Sequence, residues 1–60
     1  MTEGEFNYYL AIFQEAYGRK KEVTKKVMQD NLDAACDENG DLDFEYWEAL
    51  CGEELENYNR

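Results

Sequence analysis

The chain contains no histidine, no serine and no proline, and it has no basic residue anywhere between Asp30 and Glu56. Each absence removes a class of structure or function. Without histidine or serine, the usual nucleophile–base pairs of covalent catalysis have no members. A chain of 60 residues also offers little room for a desolvated pocket that would raise one carboxylate to general-acid duty. No enzymatic activity is expected, and no resident cofactor. The two cysteines, Cys36 and Cys51, are too few for a disulfide scaffold, and two thiols without histidine do not make a zinc site. They are expected to act as small apolar side chains on the inner faces of a second and a third helix, in a reduced, cytoplasmic setting. No apolar run approaches the ~18 residues of a membrane span. Glu3 and Glu5 in the first turn do not fit a secretory leader. With no linker-like segment and no repeat, residues 1–60 read as a single acidic helical domain.

What the sequence does have is segregated charge. Eleven acidic residues lie between Asp30 and Glu56, and five of the six basic residues precede them as Arg19, Lys20, Lys21, Lys25 and Lys26. The net charge is −9. Such a run repels itself and opposes compaction. It also argues against direct binding of nucleic acid, which needs cations to displace counterions. An ordinary solvated helix would interleave Glu–Lys pairs. The acidic run therefore points to a basic partner, and the basic cluster is expected to neutralise acids within the fold or across a homodimer, or else to meet phosphate or an acidic patch on a partner.

Opposing the repulsion are 43% apolar residues and nine aromatics, three Phe, five Tyr and one Trp. Each buried aromatic removes roughly 150–250 Å² from water, which takes the chain out of the disordered class. The apolar residues are spaced for helices. Phe6, Tyr9, Leu10, Phe13 and Tyr17 form one stripe over a helix from about Glu3 to Tyr17. Thr2 and Glu5 read as its capping box, and Gly18 as its left-handed stop. A second helix is predicted from Thr24 to about Cys36. Thr24 is its expected N-cap, Val23 and Met28 its hydrophobic staple, and Val27, Met28, Leu32 and Ala35 its inner face. Lys25 and Lys26 then fall in its first turn, against the helix dipole.

The third segment has two readings. Leu42, Phe44 and Tyr46 alternate with acids as in a strand, after an Asn39-Gly40 hairpin signal. Phe44, Trp47, Cys51, Leu55 and Tyr58 instead keep a helical stripe, with Asp41 or Asp43 as cap. The helix is preferred, with Gly52 expected to weaken it or end it early. The predicted fold is all-α, a small three-helix bundle of amphipathic helices with short connections.

Six acids from Asp43 to Glu56 span roughly 21 Å of helix at 1.5 Å per residue, about one charge per 3.5 Å, close to the ~3.4 Å phosphate spacing of one DNA strand. The leading expectation is therefore a small acidic inhibitor that occludes a basic nucleic-acid-binding surface of another protein. By size and charge, though by no motif, it is similar to small phage-encoded inhibitors of the anti-CRISPR or anti-restriction kind. Asp30, Asp33, Asp37, Asp41, Asp43, Glu45, Glu48, Glu53 and Glu56 are the expected electrostatic contacts. Tyr8, Ile12 and Tyr46 lie off the inner stripes and are the expected apolar anchors.

Two other classes remain. Asp37-x-Asn39-x-Asp41 resembles the opening of an EF-hand calcium loop, with Glu45 at position 9 and Glu48 at position 12. Position 6, which calls for glycine, is Leu42. The third class is a homo-oligomeric structural subunit whose apolar faces pair with copies of themselves.

Overall fold

A computed structural model describes residues 1–58. Three helices follow in order, α1 (Glu3–Tyr17), α2 (Lys21–Ala35) and α3 (Phe44–Glu56), and they form the all-α three-helix bundle that the apolar spacing predicts. At the start of α1, Thr2 Oγ1 accepts the Glu5 backbone N–H at 3.2 Å and Glu5 Oε1 accepts the Thr2 N–H at 3.2 Å. Both halves of the capping box are present. At its end Gly18 sits at φ +66° and donates its N–H to Gln14 O at 2.8 Å. A β-carbon is disfavoured in that left-handed conformation.

α2 begins a turn earlier than its capping signals predict. Lys20 is the N-cap and makes no side-chain capping bond. Thr24 is instead fully buried inside the helix, its hydroxyl donating to Lys20 O at 3.0 Å. The staple built on Thr24 as cap is lost with it. The reason is packing: the extra turn brings Val23 against the core and buries Thr24, and burial of this kind outweighs a cap worth about 1 kcal/mol. Lys25 and Lys26 therefore stand in the second turn, and the dipole mismatch passes to Lys21.

α2 ends at Ala35, and Cys36 is exposed rather than on an inner face. The chain turns over at once. Asp37 Oδ1 accepts the N–H groups of Asn39 and Asp41, both at 2.9 Å, and Gly40 takes φ +83°. Cys36 and Leu42 then form an isolated antiparallel bridge. The strand reading of this segment survives only as that bridge. Asp43 caps α3 by accepting the Tyr46 N–H at 3.2 Å, and the helix runs on from Phe44.

Gly52 does not stop α3. It is buried, and a β-carbon placed there would collide with the Tyr17 hydroxyl and lie 3.3 Å from Tyr17 Cζ. Its missing side chain is what makes room for the end of the Tyr17 ring. Tyr58 does lie beyond the helix and is 38% exposed, so the inner stripe closes at Leu55.

The helices run up, down and up. Tyr9 meets Phe44 and Trp47, and Tyr17 meets Gly52, so α1 and α3 are parallel. Cys51 lies opposite Val27, and Asp43 opposite Ala35, so α2 is antiparallel to α3. Leu10, Phe13, Val27, Met28, Ala35, Trp47, Cys51 and Leu55 make the core. Trp47 is its centre, fully buried, with edge-on contacts to Tyr9 (5.4 Å) and Phe13 (5.6 Å). Its indole N–H donates to Met28 O at 3.1 Å, so the one polar atom of the ring is satisfied.

Candidate functional site

The core holds the apolar stripes inward and leaves every acid of the run outside. All eleven carboxylates from Asp30 to Glu56 are exposed. They occupy three zones. Asp30 and Asp33 lie on the outer face of α2, following Lys26 at i+4 and i+7. Asp37, Glu38 and Asp41 lie in the turn and Asp43 caps α3; of these, the Asp37 and Asp43 carboxylates have structural work as well as charge. Glu45, Glu48, Glu53, Glu54 and Glu56 project from α3 over the length of the helix. Tyr46 is 52% exposed and shares a row with Glu53 at i+7. Tyr8 (65% exposed) and Ile12 (41%) lie one turn apart on α1.

The predicted contacts are thus not a single patch. Those in the turn and on α3 follow one another along the chain as an acidic edge, with a gap from Glu48 to Glu53. The α2 acids and the α1 anchors belong to other helices.

Among the described residues no group of three or more Cys, Asp or Glu side chains is placed to hold a metal ion. One oxygen of Asp37 is engaged by two backbone N–H groups of its own turn. The compact turn brings Leu42 back to pair with Cys36 instead of spreading a twelve-residue loop.

The basic cluster divides in a way its sequence spacing does not show. Arg19, in the short connection between α1 and α2, reaches the far end of α3. Its Nε donates to Leu55 O at 2.8 Å and an Nη to Glu56 O at 3.2 Å. α3 has no basic residue in its last turn, and Arg19 supplies the cation that the negative end of the helix favours. Its partners are carbonyl oxygens, not carboxylates. Lys20, Lys21, Lys25 and Lys26 remain exposed. Lys25 borders a cavity of about 330 Å³ between the start of α1 and the middle of α2, floored by Phe6 and Leu32.

Cys51 is buried beside Val27, and its thiol lies 4.0 Å from Val27 O. Burial, reinforced by the charges of Glu54 and Glu48, pushes the thiol up from 9.0 to about 12. It stays protonated and unreactive at neutral pH.

Fold and surface together define a small helical bundle whose exterior is dominated by fixed negative charge. No helix among the described residues is long and apolar enough to cross a membrane. Comparison with protein-family models, with curated proteins and with solved structures finds no match to the chain.

Proposed function

We propose that this chain is an acidic protein-binding module that inhibits its partner by covering a basic nucleic-acid-binding surface. One observation carries the reading. An unbroken run of eleven acids, without a single Lys or Arg among them, lies wholly on the exterior of a bundle with an aromatic core. A helix that served only solubility would interleave cations to relieve its own repulsion. Here the repulsion is retained, and a cationic receptor is what relieves it. The mean axial charge density from Asp43 to Glu56, about one acid per 3.5 Å, is near that of a phosphate strand, which favours a groove shaped for nucleic acid as the receptor. An anti-defence inhibitor encoded by a phage is one setting in which such a mimic operates. Association is then fast and strongly salt-dependent.

The test is charge reversal with competition. Immobilised wild-type chain should retain basic nucleic-acid-binding proteins at low salt and release them to duplex DNA or to high salt. The double variant Glu45→Lys, Glu48→Lys should retain none of them while keeping its helical circular dichroism. Equal capture by the variant, or captured proteins that nucleic acid fails to displace, defeats the proposal.

A further inference from the structure

We infer that the seam between α1 and α3 seats a basic segment of the partner. An apolar side chain of that segment packs on Tyr8 and Ile12, and cations beside it meet Glu45 and Glu48. The inference rests on the inhibitor reading above and adds to it a specific place and a non-electrostatic component.

The seam follows from helical register. Gly52 faces Tyr17 of α1, so Glu48 and Glu45, one and two turns earlier on the same row of α3, border α1. On α1, Tyr9 meets α3 through Phe44 and Trp47. The side of α1 toward α2 is marked by Phe6 and Asn7, which line the cavity with Lys25 and Leu32. Ile12, three residues after Tyr9, is therefore on the outer lip of the α1–α3 seam, with Tyr8 a turn before it. Because the two helices are parallel, Tyr8 is level with Glu45, and Ile12 with Glu48.

The aromatic anchor is also held in place. The Tyr8 ring stands edge-on to Tyr9 at 5.5 Å and 78°, and Tyr9 is locked against Phe44 and Trp47. An ordered tyrosine loses little rotamer freedom on binding, which is why such residues act as interface hot spots. Charge selects the occupant. α1 carries Glu3, Glu5 and Glu15, α3 carries five glutamates, and neither helix has a basic residue. A second copy docked here by two-fold symmetry would set these acids against their own images. A segment that alternates cations with an apolar residue meets both halves of the seam.

The experiment titrates the isotope-labelled full chain with a synthetic helical peptide. The peptide carries arginines flanking two leucines one turn apart; the control has alanines in place of the leucines and the same charge. Amide shifts should centre on Tyr8, Ile12, Glu45 and Glu48. The Tyr8→Ala, Ile12→Ala double variant should bind the leucine peptide about tenfold more weakly. Both residues are exposed, so its helical spectrum should be unchanged, and the spectrum verifies this. The inference is overturned if the variant or the alanine peptide loses no affinity, or if the shifts map to Asp30 and Asp33. It is overturned equally if sedimentation of the free chain reveals a dimer that depends on Tyr8 and Ile12. Loss of binding on reversing Glu45 and Glu48, with no effect at Tyr8 and Ile12, would sink the seam and leave the inhibitor reading standing. No effect from either variant would sink both.

Discussion

Arg19 offers the sharpest test of how this fold is held together. It belongs to a cluster of five cations, yet it is the one that crosses the bundle, with two donors on the terminal carbonyls of α3 at 2.8 and 3.2 Å. Hydrogen bonds from a charged group contribute about 1.5–3 kcal/mol each. These two are only part-buried and exposed, so solvent screening cuts the pair together to about 1 kcal/mol. With the helix-end term of about 0.3–1 kcal/mol, Arg19→Ala should cost about 1–2 kcal/mol. A domain of this size has roughly 3–9 kcal/mol of total stability, so the loss is a substantial fraction and lowers the melting point by about 5–15 °C.

Removing a cation from a chain of charge −9 also raises its self-repulsion, and a control separates that effect. Lys20→Ala makes the same change in charge at the neighbouring, exposed position. Urea titration followed by Trp47 fluorescence is the assay, because urea adds no salt and Trp47 is fully buried. The midpoint should fall clearly further for Arg19→Ala than for Lys20→Ala, with Arg19→Lys between them. Lysine keeps the charge but not the fork that reaches two carbonyls. Equal midpoints for the two alanine variants would show that Arg19 acts only through its charge.

Two further outcomes follow from the core. Gly52→Ala should lower stability despite alanine's helix advantage of about 1 kcal/mol, because the new methyl group meets the Tyr17 hydroxyl. In a Tyr17→Phe background the same substitution should become neutral or stabilising, and additive effects in this double-mutant cycle would refute the contact. The second concerns alkaline pH. Cys51 is held at about 12 in the fold against 9.0 without it, so its contribution is intact below pH 9 and drains away as pH rises toward 12, where the unfolded thiol ionises and the folded one does not. Denaturant midpoints should fall over that window less steeply in Cys51→Ala. At neutral pH a thiol reagent should label Cys36 quickly and Cys51 only on unfolding; rapid labelling of both would contradict the burial.

The elements that were legible in the sequence are those where local chemistry and packing agree. In α1, the Thr2–Glu5 box, the five-residue stripe and Gly18 all give the same boundaries, and the helix has them. Where the two disagree, packing wins. Thr24 is a good cap by composition, but its place in the core draws it inside α2. Gly52 is a helix breaker by propensity, but the end of the Tyr17 ring occupies the space a side chain there would take. Neither outcome has a local signal, because each depends on a residue in another helix. The same limit hid Arg19, whose partners lie 36 and 37 residues away. The exposure of the acids was readable, since each falls off an apolar stripe. Their division among α2, the turn and α3 followed from the helix boundaries, and only the placement of those zones relative to one another required the helix packing.

Under the proposed inhibitor reading, that division bears on how one small anionic surface would achieve specificity. Charge alone gives reach without register, since any cationic groove attracts any dense acid run. Register comes from what is rigid. Asp37 is fixed by two backbone donors of its own turn, Asp43 by capping α3, and the start of α3 by the Phe44–Tyr9–Trp47 cluster beneath it. The α3 acids closest to these anchors, Glu45 and Glu48, are the best positioned of the set. Glu53 and Glu56 lie toward the other end, where Arg19 is the tether. Loosening that tether should therefore blur the far end of the acidic edge first. Under the proposed reading, a partner that reads the whole edge would feel the loss of Arg19 as weakened binding through the loosened end of α3.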